Sequence, residues 1–180
     1  LRRNQCMTVH WADAEFQMSR TGYTGEDGFE LFPPPHIMAT LWDQLILLGA
    51  QPCGLGCRDT LRLESGFSLY GHEISEQIHL LEAGLSWIVG WNKSDFIGKF
   101  ALEKCRVQGS ARKLVGLEAV GKAIPRNGQT VVDCSGREIG VVTSGGMSPV
   151  LNRGIALALI AASSAEIGAE VYVRIREQLQ

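Results

Sequence analysis

From Lys113 onward the chain is cut into short β-rich runs by turn residues, and this punctuation limits the possible folds more than any other feature. The runs are Leu114 to Val120, Thr130 to Cys134, Ile139 to Thr143, Ile155 to Ile160 and Val171 to Ile175. Between them stand Pro125, Asn127-Gly128, Ser135-Gly136, Gly145-Gly146, Pro149 and Gly168. β-branched residues suit a pleated, half-buried surface, whereas Gly, Pro and Asn-Gly supply the backbone of tight turns. A small antiparallel β-barrel or sandwich is expected.

The first half has a different texture. Ala14 to Ser19 alternates, with Phe16 and Met18 as its apolar members, and Phe29 to Phe32 is a second short extended run. The glycine-rich stretch Arg20-Thr-Gly-Tyr-Thr-Gly-Glu-Asp-Gly-Phe-Glu30 therefore reads as a loop joining two strands. Its glycines Gly22, Gly25 and Gly28 would allow positive φ and close approach to a ligand, or serve only as turn glycines. Pro33-Pro34-Pro35 stops the second strand, and Ile37, Leu41, Leu45 and Leu48 recur at helical spacing until Gly49, a suitable C′ residue.

Pro52-Cys-Gly-Leu-Gly56 is another glycine turn, with Arg58 at its junction to a short helix spanning Asp59 to Glu64. Leu80 to Val89 is apolar and contains Gly84 and Trp87. Phe96 to Val107 offers one more helix, with Asp95 or Ser94 to cap it. Placing the domain boundary between residues 95 and 112 yields two domains, 1–95 and 96–180. The expected class is α+β, ending in an antiparallel β-barrel.

Composition narrows the partners. A chain of 180 residues, 45% hydrophobic and 20% charged, can bury a core. Its 17 Lys and Arg against 19 Asp and Glu leave a formal charge of −2, and the basic residues are scattered. No footprint for nucleic acid or an anionic membrane is present, nor any stretch approaching the ~20 apolar residues of a membrane span. The five cysteines form no CxxC pair, and His10, His36, His72 and His79 complete no metal-ligand spacing with them, so no metal is expected. Each cysteine reads as a small buried apolar residue in a reducing compartment. Leu1-Arg-Arg-Asn-Gln-Cys-Met7 lacks a leading Met and the apolar run of a signal peptide, from which the chain is expected to begin inside a longer protein.

Three segments carry a resemblance. They are Ser19 to Glu30, then Gly54-Leu-Gly-Cys-Arg-Asp-Thr-Leu-Arg-Leu-Glu64 continuing to Leu69-Tyr-Gly-His-Glu73, and finally Leu81-Glu-Ala-Gly-Leu-Ser-Trp87. In order and spacing they resemble the T-protein family of the glycine cleavage system, folate-dependent aminomethyltransferases. The likeness continues through Asp95-Phe-Ile-Gly-Lys99, Arg112-Lys-Leu-Val-Gly-Leu117, Ile124-Pro-Arg126 and Val142-Thr-Ser-Gly145 to Ser148-Pro149. It covers nearly the whole chain.

The resemblance implies a three-lobed molecule about twice this length, with tetrahydrofolate in a central channel and a β-barrel as its last lobe. It implies transfer of the one-carbon unit of an aminomethyl group, carried on the lipoyl arm of the H-protein, to tetrahydrofolate. The products are 5,10-methylenetetrahydrofolate, ammonia and the reduced arm. The compartment implied is the bacterial cytoplasm or the mitochondrial matrix.

By the same resemblance Glu30 is the carboxylate that contacts folate, where one ionised carboxylate can accept paired donors from the pterin edge. Arg58 matches the family arginine at folate, and a guanidinium suits the carbonyl and carboxylate groups of the benzoyl-glutamate portion. Tyr23 offers an aromatic face and a hydroxyl to a flat heteroaromatic ligand. Phe67 falls where some relatives have an aromatic folate contact, although a core position suits it equally.

Read without the family, Glu30 would be an exposed strand carboxylate and Arg58 a surface partner of Asp59 or Glu64. Arg62, Glu64 and Tyr70 suit a helix face and a structural ion pair, and Glu26 and Asp27 match no ligand role. The family's assisting acidic residue falls upstream of Leu1 and a further folate contact beyond Gln180. No catalytic residue is therefore assigned, and the isolated chain is expected to be inactive or nearly so.

Gly54-x-Gly56-x-x-Asp59 is a poor dinucleotide fingerprint, since its third Gly is replaced and no βαβ unit surrounds it. Other folate-dependent demethylase or dehydrogenase lobes are the nearest rivals, and a flavin-binding domain upstream would mark the dehydrogenases. A folate-binding protein without transferase activity is another, but the Lys-Gly-Cys-Tyr-x-Gly-Gln-Glu run of the related iron–sulfur assembly factor does not occur.

Overall fold

The computed structural model describes residues 1–175 and the backbone of 178–179. By internal contacts the chain forms two compact units, Leu1–Ser65 and Gly66–Gln180.

The first unit opens on strand β1 (Cys6–Trp11), which the sequence reading did not identify, followed by β2 (Ala14–Ser19) and β3 (Glu30–Phe32). They pair antiparallel in the order β1-β2-β3. No residue of β1 is buried and four of the six are exposed, so the strand is held by its ladder to β2, from Cys6 opposite Ser19 to Trp11 opposite Ala14, more than by a buried face. Phe16 is the buried residue of β2.

Helix α1 (Pro35–Leu47) starts with proline in its first turn, where a missing N–H costs nothing, and Gly49 follows its C-cap at φ 97. Of the expected apolar stripe only Ile37 is buried. Leu41 is half-buried, while Leu45 and Leu48 are exposed. Helix α2 (Leu55–Glu64) begins four residues earlier than the sequence suggested, because Leu55, Gly56 and Cys57 already bond as its first turn.

In the second unit, residues 66–98 form turns and a single 3₁₀ turn, Ser86–Ile88, before helix α3 (Lys99–Gln108). Neither Ser94 nor Asp95 caps this helix. Its N-cap is Gly98, in the left-handed region at φ 89, and the Lys99 ammonium instead donates to the carbonyls of Lys93 and Ser94 at 2.5 and 3.2 Å.

Six strands then form one antiparallel sheet: β4 (Arg112–Glu118), β5 (Thr130–Val132), β6 (Glu138–Ser148), β7 (Arg153–Ala161), β8 (Tyr172–Ile175) and β9 (Gln178–Leu179). Their spatial order is β4-β7-β6-β5-β8-β9. The core within this sheet comprises Val131, Ile139, Val142, Ala156, Ala158, Ile160 and Val173, small and β-branched residues at inward positions.

One expected turn is absent. Gly145-Gly146 lies inside β6, paired with Ala156 and Ile155 of β7. Glycine serves there for proximity, since a Cβ on Gly145 would sit 2.4 Å from the Pro125 carbonyl oxygen. The real β6–β7 turn comes at residues 149–152, where Asn152 takes φ 52.

Candidate functional site

Antiparallel pairing brings Ser19 opposite Glu30, so the loop of residues 20–29 leaves and returns at one point on the sheet. Two side-chain ties shape it. Arg20 donates from Nε and Nη2 to the two carboxylate oxygens of Asp27 at 3.0 and 2.5 Å, and from Nη1 to the Leu1 carbonyl at 2.6 Å. Hydrogen bonding to Arg20 holds the Asp27 carboxyl below its usual range, and the same bond raises Arg20. Asp27, for which the sequence suggested no role, closes the loop.

The second tie is Ser65 Oγ, which lies 3.0 Å from the Thr24 carbonyl and 2.9 Å from that of Leu61. It anchors the loop to the end of α2. Gly25 passes directly over it at φ +80, where a Cβ would fall 2.1 Å from Ser65 Oγ. Any side chain at 25 would be both strained and obstructed. Gly22 and Gly28, by contrast, have no atom within 4 Å of a Cβ and no positive φ. Of the three glycines, positive φ is therefore found at Gly25 alone, and its close neighbour is the protein's own Ser65.

Within this frame the structure brings Tyr23 and Arg58 together. The Arg58 guanidinium carbon stands 4.5 Å from the centroid of the Tyr23 ring, a cation–π stack. Asp59 pairs instead with Arg62, whose Nε and Nη2 both lie 2.7 Å from Asp59 Oδ1 and whose side chain is fully buried. The alternative of an Arg58–Asp59 pair is thereby replaced by a structural pair one turn on.

Arg58 occupies the first turn of α2, and the Gly54 N-cap supplies no side chain to that helix. The N–H groups of the first turn and the guanidinium together make a corner that favours an anion.

Glu30 is exposed at the start of β3 and accepts a short hydrogen bond on Oε2 from the Thr21 hydroxyl. A carboxylate has about four acceptor positions, so this bond orients the group while leaving capacity for paired donors. Thr21 was missed by sequence reasoning. The strand pairing that sets it beside Glu30 is its only signal.

Phe67 lies in the second unit and is half-buried. There the recognised run Leu69 to Glu73 is a tight turn in which the Leu69 N–H donates to the fully buried Glu73 carboxylate at 2.9 Å. His72 Nδ1 donates to the Thr143 carbonyl at 2.8 Å, tying this turn to β6.

Four of the five cysteines, Cys6, Cys53, Cys57 and Cys134, are exposed, and Cys105 is half-buried; all are free thiols. The expectation of buried cysteines is wrong, because their segments lie at an edge strand, a helix start and turns rather than in the core. Among the described residues no group of three or more His, Cys, Asp and Glu is arranged to hold a metal ion, and no helix is long and apolar enough to cross a membrane.

Fold and site define a class: an α+β protein that carries a carboxylate, an aromatic face and a guanidinium on one looped unit and continues into an antiparallel barrel domain. Residues 2–93 match the GCVT N-terminal domain, and residues 112–180 match the glycine cleavage T-protein C-terminal barrel domain. The chain belongs to the glycine cleavage T-protein family.

It is 53% identical over 161 residues to an aminomethyltransferase of Herpetosiphon aurantiacus, covering 89% of this chain and 45% of that protein. Against the aminomethyltransferase of Caldanaerobacter subterraneus subsp. tengcongensis it is 48% identical, covering 94% and 46%. The crystal structure of glycine cleavage system aminomethyltransferase T from Bartonella henselae matches with a TM-score of 0.85 at 34% identity, over 91% of this chain and 46% of that one. The chain thus spans about half the length of the relatives it matches.

Proposed function

We propose that these residues form the folate-gripping part of an aminomethyltransferase. Its reaction passes the one-carbon unit of an aminomethyl group on lipoylated H-protein to tetrahydrofolate, giving 5,10-methylenetetrahydrofolate, ammonia and the reduced lipoyl arm. Residues 1–95 would belong to the folate-binding domain, and 96–180 to the linking helix and C-terminal barrel. The bacterial cytoplasm or mitochondrial matrix is the compartment that goes with this activity.

The stack of Arg58 on Tyr23 carries the assignment. It holds an aromatic ring and a cation against each other from two separate elements, leaving the second ring face and the guanidinium edge as the combination that suits a heteroaromatic ligand with an acidic tail. Glu30, oriented by Thr21, would accept the paired N–H donors of the pterin edge. Arg58 and the first turn of α2 would meet the benzoyl-glutamate portion, and Phe67 stays a candidate folate contact by the resemblance alone. What these residues do is bind and orient; holding both reactants in register supplies much of the rate in a two-substrate transfer.

Calorimetric titration with tetrahydrofolate tests this. Glu30→Gln removes the charge from a charge-assisted pair and is expected to weaken binding roughly 10- to 100-fold, with Arg58→Ala in the same range. Absence of binding by the unaltered chain, or variants that bind as tightly as the unaltered chain, would overturn the proposal.

A further inference from the structure

Cys53 and Cys57 stand on either side of the N-cap of α2. Cys53 immediately precedes Gly54, and Cys57 is the third residue of the helix. The Arg58 N–H donates to the Gly54 carbonyl at 3.2 Å and holds that turn closed. No side chain on Gly54 or Gly56 stands between the thiols, and both are exposed. The Cys53 thiol reaches back only to the Gln51 carbonyl, at 3.6 Å. The remaining cysteines, Cys6, Cys105 and Cys134, are distant in sequence from this turn.

We propose that Cys53 and Cys57 are a dithiol modification site, closed to an intrachain disulfide by low-molecular-weight disulfides and reopened by thiols. The Cys53 thiolate attacks one sulfur of the small disulfide, forming a mixed disulfide and expelling one thiolate. The Cys57 thiolate then attacks the Cys53 sulfur of that mixed disulfide, expelling the second thiolate and forming the Cys53–Cys57 bond. The two protons lost by the cysteines end on the two released thiols, so the pair is oxidised by two electrons and the small disulfide reduced by two.

The order of attack follows from the neighbours. Hydrogen bonding to Cys53, with burial and charge adding to it, holds the Cys57 thiol above its ordinary range, so Cys57 is the poorer first nucleophile. Once Cys53 is capped that restraint is gone, and the helix N-terminus then favours the Cys57 thiolate. The ring closed is small and solvent-exposed, and such bridges stabilise little and reduce readily.

The test incubates the complete chain with oxidised glutathione and maps peptides without reduction. A Cys53–Cys57 bridge two hydrogens lighter than the dithiol, lost on adding dithiothreitol, is expected. Cys57→Ser should arrest at a stable glutathione adduct on Cys53, and Cys53→Ser should lose the bridge altogether. Phenylarsine oxide, which needs two neighbouring thiols, should bind one per chain and be lost in either single variant. Separate glutathione adducts on Cys53 and Cys57 without a bridge, or arsenical binding that survives both substitutions, would overturn the proposal.

Discussion

Thr21 donates its hydroxyl to Glu30 across the base of the 20–29 loop, and the carboxylate keeps lone pairs for a second set of donors. If Glu30 grips the pterin edge, this bond holds it in place before the ligand arrives. Thr21→Val keeps the shape and removes the donor, at a cost of about 1 kcal/mol, so tetrahydrofolate affinity should fall about fivefold. In a Glu30→Gln background the same change should add little, because the two residues act as one unit. Calorimetry on the four chains decides it, and full additivity would show that Thr21 does not act through Glu30. The residue types of the candidate site were legible, since Tyr23, Glu30 and Arg58 stand in motifs of the chain itself. Thr21, Ser65 and the Arg20–Asp27 fork were not, since a hydroxyl or a carboxylate has no periodicity and reveals its partner only when the chain returns.

At the scale of elements, β2 followed from its alternation, α1 from the helical spacing of its apolar residues although only Ile37 is buried, and the core strands from β-branched runs bounded by turn residues. β6 departs from that logic. Gly145-Gly146 has the composition of a turn, yet the strand runs through it and the Pro125 carbonyl crosses against Gly145. Gly145→Ala should therefore destabilise the barrel by about 2 kcal/mol, the scale of overpacking in a site that cannot yield. Urea denaturation monitored by circular dichroism should show an earlier midpoint. An unchanged midpoint would mean that the 123–125 segment moves aside at no cost.

The second unit as a whole depends on a join between its turn-rich start and its sheet. Arg112 of β4 donates to both oxygens of Glu82, at 2.8 and 3.0 Å, and the Leu114 N–H donates to the Glu82 carbonyl at 2.8 Å. Burial pushes the Glu82 carboxyl up, but the hydrogen bonds from Arg112 and the His79 backbone outweigh it and hold the group below its ordinary range. A depressed folded-state value contributes stability above the ordinary glutamate range, and that contribution is lost as pH falls from near 4.5 downward. Arg112 is 45% exposed, so solvent screening keeps the pair to about 1 kcal/mol. Urea midpoints measured from about pH 6 to about pH 3 should drop less for Glu82→Gln than for the unaltered chain by that amount. Parallel acid limbs would remove Glu82 from the account. The sequence by itself determined the elements with periodic burial, the strand-rich second half and the residue types at the candidate site, since each is written within a few neighbouring positions. Only the tertiary structure decided that Arg58 stacks on Tyr23, that Gly25 rides over Ser65 and that Glu82 meets Arg112. Those contacts join residues whose separation along the chain carries no local signal, so they exist only once the backbone has closed on itself.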